Sequence, residues 1–253
     1  MRVLLTNDDG IYADGLDALY QRFRKKFKVT VCAPESERSA IGHAITLNRP
    51  LRVKQVKKNA EFFGYAVDGT PADCVKIAVR ALLKEKPQLI ISGINHGPNL
   101  GSDIMYSGTV SAATEGTILK IPSIAVSLAT YDKHDFKTAA DIAYNIALKI
   151  KKNNLPEGIL LNVNVPPIPT SRVRGYLITE QGRSFYKESF VKRSDPRGMT
   201  YYWLTGKAKW LKKPQGSDIR AIEDNYVSVT PLQFDLTAYN YLNVIKKLNL
   251  NSL

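Results

Sequence analysis

Two adjacent carboxylates, Asp8 and Asp9, stand in the stretch VLLTNDDGIYADGL (residues 3–16), directly after an apolar run. Neighbouring acids repel, and each raises the other's pKa unless a cation lies beside them. A metal ion resolves that repulsion. Oxygen donors from carboxylate, hydroxyl and amide side chains suit hard Mg²⁺, Mn²⁺ or Ca²⁺, whereas zinc prefers His and Cys. The competing reading is a cap at Asp8 and a turn at Asp9–Gly10, since Asp-Gly is a common turn pair. The dipeptide alone leaves both open.

A second stretch, YSGTVSAATEG (106–116), sets Ser107, Gly108 and Thr109 at the expected start of a helix. Unpaired N–H groups and the positive end of the helix dipole make such a start an anion site. Gly108 has no side chain to obstruct a phosphate, and Ser107 and Thr109 offer hydroxyl donors, although a serine there serves equally as a plain N-cap. A cation site beside an anion site describes phosphoryl transfer or phosphate hydrolysis.

For these groups to meet, the elements that carry them must share one edge. RVLLTN (2–7), KVTVCAP (28–34), QLIISGI (88–94), SIAVSLA (123–129) and ILLNVNVP (159–166) are short strands, apolar almost throughout. Between them, Leu16, Leu19, Tyr20 and Phe23 fall at helical spacing. GTPADCVKIAVRALLKE (69–85) opens with Thr70 as N-cap and Pro71 at the first helical position, and residues 107–120 form a helix rich in small side chains. Ile142, Ile146 and Ile150 stripe a helix that begins near Phe136. LRVKQVKK and EFFGYAV read as a hairpin through Asn59. Strands of that character alternating with helices argue for a mostly parallel sheet covered on both faces, an α/β three-layer sandwich. Ligands of such sheets bind beyond the C-terminal strand ends. That edge should gather TNDDG, APESERSAIGHAIT and NHGPNLGSDIMYSGT, so that a Ser of the second loop and an Asn of the third complete the oxygen donors.

Residues 1–170 are thus expected to form the catalytic body. After the proline-rich VPPIPT (165–170), residues 171–253 read as a β extension. RVRGYLITEQG, TYYWLTG and YVSVTPLQ resemble antiparallel strands, and residues 237–250 a final amphipathic helix. Cys32 and Cys74, distant in sequence and without a CxxC pair, read as two buried reduced thiols. No apolar run reaches the roughly 20 residues that span a bilayer, and the early Asp8 leaves no room for a secretory signal; a cytoplasmic protein is expected.

The net charge is +13, and residues 183–220 hold ten Lys/Arg against three acids. Phe185, Tyr186, Phe190, Tyr201, Tyr202, Trp203 and Trp210 lie among them. Interleaved basic and aromatic side chains can hold phosphates and stack bases, so a nucleic-acid-binding module stands as the alternative function; an arm packed on a neighbouring subunit explains the same residues. Lys212 and Lys213 are among these basic residues and could hold longer anions.

NDDG, APxxERSAxGHxIT (33–46), GTPADCV (69–75), SGINxGxNLGxDxxYSGTVxAAxEG (92–116) and AIEDNYVSVTPL (221–232), in this order, resemble the SurE family of metal-dependent 5′/3′-nucleotidases over nearly the whole chain. The resemblance implies a Rossmann-like body, a C-terminal hairpin and helix used for subunit contacts, and a homodimer or tetramer. It implies one divalent metal per subunit, Mg²⁺ or Mn²⁺, on Asp8, Asp9, Ser39 and Asn95. It also implies nucleoside monophosphate substrates, with polyphosphate trimmed by some members, and no stable nucleic-acid or membrane partner. On this reading Asp8, Asp9 and Asn95 serve catalysis, and Ser39, His43, Ser107, Gly108 and Thr109 face substrate. His43 is the nearest proton donor to the leaving oxygen, although a structural loop histidine fits as well. Asp103, Glu115, Asn7 and Asn99 are supporting residues. Attack by a metal-activated water is expected, with an aspartyl-phosphate route through Asp8 or Asp9 left open.

Overall fold

The computed structural model describes residues 1–248 except Lys133 and Lys213, with backbone alone for 184–188 and 207–212. The chain opens with β1 (Arg2–Thr6), α1 (Asp14–Phe23) and β2 (Lys28–Pro34). The hairpin β3 (Val53–Lys58) and β4 (Glu61–Val67) follows, turning through Asn59 and Ala60, both at positive φ. Next come α2 (Pro71–Ile77), β5 (Leu89–His96), α3 (Gly108–Ile118), β6 (Ser123–Leu128), α4 (Lys137–Asn153) and β7 (Ile159–Val165). The last part holds β8 (Tyr176–Ile178), β9 (Arg183–Ser194), β10 (Thr200–Lys212), α5 (Asp218–Glu223), β11 (Val227–Gln233) and α6 (Leu242–Lys246).

Nine strands form one sheet in the order β3-β4-β2-β1-β5-β6-β7-β11-β8. All adjacent pairs are parallel except β3/β4 and β7/β11. From β1 the chain winds first toward β2 and later returns to place β5 on the other side. The strand order therefore switches direction between β1 and β5, where the loops leaving the two strands part and open a crevice. In register, Thr6 of β1 lies opposite Ser92 of β5, so the residues that follow each strand emerge side by side.

Both faces are covered. Leu16, Leu19 and Phe23 of α1 and Ile142, Ile146 and Ile150 of α4 bury in one apolar layer. Phe23, Phe27 and Tyr144 pack ring on ring there, and Arg22 lies over Tyr144 at 3.5 Å while pairing with Asp141. On the opposite face, Cys74 and Val75 of α2 and Ala112 of α3 pack against Leu4, Cys32 and Ile90. Cys32 and Cys74, remote in sequence, meet here as free thiols, with the Cys32 thiol donating to the Cys74 carbonyl at 3.3 Å. Burial drives the Cys74 thiol upward, which keeps it protonated and inert.

Three expectations need correction. The helix expected over 69–85 keeps α geometry only to Ile77 and then widens into a π turn over Ala78–Leu82. The strands after residue 170 are not all antiparallel: β8 runs parallel to β11, while β11 runs antiparallel to β7, so the central sheet extends past the proline-rich connection. Only β9 and β10 stand apart as an antiparallel arm. The final helix is also shorter than the expected 237–250: a 3₁₀ turn at Tyr239–Tyr241 leads into α6, neither buries a residue, and residues 249 and 250 lie outside the described ones. Lys213 and the side chain of Lys212 likewise lie outside them. Among the described residues no helix is long and apolar enough to cross a membrane.

Candidate active site

Asp8 and Asp9 leave β1 at the crevice. Asn7 holds the turn that carries them, its side-chain amide donating to the Gly10 carbonyl at 2.9 Å, and Gly10 itself sits at φ +101. That conformation favours glycine, which is why the chain turns there. Asp8 is 4% exposed. Its carboxylate lies at the start of α3, where it receives the Thr109 hydroxyl and the Thr109 main-chain N–H. The approach requires Gly108: a Cβ there would stand 2.8 Å from the Asp8 Cβ and 2.9 Å from Oδ2. The helix start expected to hold phosphate is therefore turned, at Thr109, toward Asp8.

Burial pushes the Asp8 carboxyl up, and the hydrogen bonds from Thr109 only partly offset it. Burial, and then the charge of Asp8, raise Asp9 to about 7. The hydrogen bond that Asp9 accepts from the His96 main-chain N–H is long at 3.4 Å. Glu37 adds a third negative charge to the pair.

The second loop is tied to the first and third by main-chain bonds, Arg38 N–H to the Asp8 carbonyl at 2.7 Å and Gly42 N–H to the Tyr106 carbonyl at 3.0 Å. These bring Ser39 to the cavity that holds Asp8 and Asp9, where its hydroxyl donates to Glu37 at 2.6 Å. Farther along, Thr46 gives its N–H and hydroxyl to Asp73, whose carboxylate also closes the capping box with Thr70 at the start of α2. Thr70 thus caps the helix as its sequence position suggests.

Asn95 reaches the cavity through a bulge. Ser92 pairs with Ala125 and Asn95 with Ser127, so β5 carries one extra residue across Gly93 and Ile94. A bulge bends its strand and re-aims the side chain that follows. The Asn95 amide nitrogen donates to the Gly97 carbonyl at 2.9 Å, which leaves its oxygen as the donor atom for a ligand. Asn99 is held from below by Ser127, Asn162 and Asn164.

These groups line one open cavity of about 830 Å³. Asp8, Asp9, Glu37, Ser39, Asn95, Asn99, Asp103 and Ser107 supply its polar side. Ser107 is also the N-cap of α3, its oxygen accepting from Val110 N–H at 3.1 Å. Tyr106, Tyr131 and Pro98 form further wall, and Leu204, Thr205 and Gly206 of β10 close it from the arm.

Three residues expected to face substrate are not among those lining the cavity, and Gly108 packs directly against Asp8. Thr109 is fully buried against Asp8. His43 does not line the cavity; its Nε2 lies 3.0 Å from Glu115, which Lys76 also engages at 2.7 Å. Burial raises the Glu115 carboxyl, but bonds from His43 and Lys76 outweigh it and hold the group below its ordinary value. Glu37, Tyr131 and the arm residues were not singled out from sequence as cavity residues. Glu37 could have been found, since it stands two positions before Ser39; nothing local marked the others.

Fold and site together define an α/β enzyme whose polar cavity opens at the switch point of a mostly parallel sheet. The family model for survival protein SurE matches residues 3–188. A 5′-nucleotidase SurE from Syntrophobacter fumaroxidans is 48% identical over 99% of this chain and 100% of its own length. One from Natranaerobius thermophilus is 51% identical over 96% of each chain. The crystal structure of the SurE protein from Aquifex aeolicus superposes with a TM-score of 0.86 at 41% identity, covering 98% of this chain and 100% of that one. The chain belongs to the survival protein SurE family, and it is an enzyme of that family.

Proposed function

We propose that this enzyme hydrolyses nucleoside 5′-monophosphates to nucleoside and phosphate, with one divalent cation, Mg²⁺ or Mn²⁺, held by Asp8, Asp9, Ser39 and Asn95. The observation that carries the reading is the adjacent carboxylate pair, both members raised by burial and both lining the cavity without a Lys or Arg among its described lining residues. Two carboxylates, a hydroxyl and an amide oxygen make a donor set suited to a hard cation. Among the described residues no three His, Cys, Asp or Glu side chains cluster as a metal site.

When bound, the cation offsets negative charge on the phosphoryl oxygens and makes water a stronger acid. The protein's part is positioning. Thr109 fixes the Asp8 carboxylate at the helix start. The Gly97 carbonyl orients Asn95. Ser107, whose oxygen already accepts from Val110, keeps its hydroxyl proton to donate to a phosphate oxygen. The exposed apolar side chains Phe190, Trp203, Leu236 and Ile245 along the arm and C-terminal segment support packing against a second copy of the chain.

Phosphate release from a panel of 5′- and 3′-nucleotides and polyphosphate, across several divalent cations and in EDTA, tests the reading. Cation-dependent hydrolysis of 5′-nucleotides that is lost in Asp8→Asn is expected. Salt-sensitive polynucleotide binding with no phosphate release contradicts it and favours a binding module. A phosphoenzyme seen by mass after rapid quench would replace water attack with an aspartyl-phosphate route.

A further inference from the structure

The carboxylate end of the cavity accounts for a phosphate and leaves the aromatic wall without a task. Tyr131 stands on that wall with 71% of its surface open, beyond the C-terminal end of β6. Its backbone is fixed on both sides. Thr130 N–H donates to the Leu128 carbonyl at 2.8 Å, Asp132 N–H to the Thr130 hydroxyl at 3.0 Å, and the His96 ring to the Asp132 carbonyl at 2.9 Å. The ring rests on Gly97, at φ +126, where an added Cβ would stand 2.5 Å from Cε1. An exposed aromatic ring is thus seated on bare backbone two residues after Asn95.

The rest of the lining favours a neutral, flat group over a second anion. Glu37 and Asp103 are negative, and no Lys or Arg is among the described lining residues. A cavity of about 830 Å³ is roomy for more than a phosphate, within the range of roughly 300–1,000 Å³ that takes whole small molecules. We propose that Tyr131 is the stacking platform for the nucleobase of the substrate, and that it sets the preference for nucleotides over base-free sugar phosphates. The inference rests on the nucleotidase reading above and names the residue that reads the base. Stacking on an aromatic side chain tolerates any base, because every base has a π face.

The test compares wild type, Tyr131→Ala and Tyr131→Phe on AMP and on ribose 5-phosphate, which keeps the sugar and the ester but lacks the base, at saturating Mn²⁺. The readout is the ratio of kcat/KM for the two substrates. Tyr131→Ala should lower that ratio at least about fivefold, chiefly through KM for AMP, the lower end of what one stacked base contributes. Tyr131→Phe, which keeps the ring, should hold the ratio within about twofold of wild type. An unchanged ratio in Tyr131→Ala, including an equal loss on both substrates, overturns the proposal by making Tyr131 a loop-shaping residue. A Tyr131→Phe variant that falls as far as Tyr131→Ala overturns it by making the contact a hydroxyl one. If the wild-type enzyme releases no phosphate from AMP, the nucleotidase reading fails and this inference falls with it; if it hydrolyses AMP and the ratio does not move, the inference alone fails.

Discussion

Replacing Asp9 with Asn is predicted to stabilise the metal-free fold while abolishing its response to metal. Burial and the Asp8 charge lift Asp9 from 3.8 to about 7 in the folded protein. The folded state therefore holds the Asp9 proton more tightly than the unfolded chain, and ionising it weakens the fold. That penalty is absent below the unfolded value, grows as pH rises from about 4, and is complete above about 7. A rise of about 3 in pKa corresponds to about 4 kcal/mol. Asp9 is only partly buried, and solvent screening reduces this to about 1–3 kcal/mol. An Asn oxygen can still accept the weak bond from His96, so little else is lost. Thermal unfolding in EDTA at about pH 8 should place Asp9→Asn roughly 2–10 °C above wild type, and the gap should close near pH 4. Added Mn²⁺ should reverse the order, because a ligand at 100 times its Kd stabilises a binding-competent fold by about 2.7 kcal/mol and the variant lacks a ligand. Equal melting at pH 8 without metal, or a gap that is the same at both pH values, refutes the electrostatic reasoning.

Gly108→Ala should lower AMP hydrolysis by at least about tenfold, because its Cβ would displace Asp8; melting curves should show that the fold survives. His43→Ala should lower stability by about 1–3 kcal/mol in urea unfolding near pH 7, by taking one of two partners from the buried Glu115. Because Glu115 is held below its ordinary 4.5, that stabilisation is present above about pH 4.5 and is lost as pH falls through the folded value, so the gap to wild type should shrink in acid. Gly116→Ala, whose Cβ would stand 2.3 Å from Ser123 Oγ and 2.7 Å from Ile90 Cδ1, should lower the urea midpoint by an amount worth about 1–3 kcal/mol and leave KM for AMP unchanged.

Much of the body was legible because its signals are local. Continuous apolar strands, the Leu16–Leu19–Phe23 stripe and the Thr70–Pro71 helix start each depend on a few neighbouring residues, and the structure realises each. Strand order was not legible, since nothing inside β1 or β5 states that they lie side by side; yet that adjacency forms the crevice. The edge that gathers Asp8, Ser39 and Asn95 followed from the rule for parallel sheets. Which polar atom each would satisfy did not follow. Thr109 was matched to phosphate because a helix start attracts anions, and the anion it meets is Asp8, 101 positions away in sequence, a pairing no local pattern encodes. His43 likewise found a carboxylate in α3, 72 residues away. The parallel pairing of β8 with β11 escaped notice because three residues carry too little pattern to fix a direction.

Anomalous diffraction from crystals of the enzyme soaked in Mn²⁺ tests the central claim most directly. A single strong peak per chain is predicted, within coordination distance of oxygens from Asp8, Asp9, Ser39 and Asn95, and it should vanish in Asp8→Asn. A peak elsewhere in the chain, or no peak at concentrations of Mn²⁺ that support phosphate release, would contradict the assignment of the carboxylate pair as the cation site.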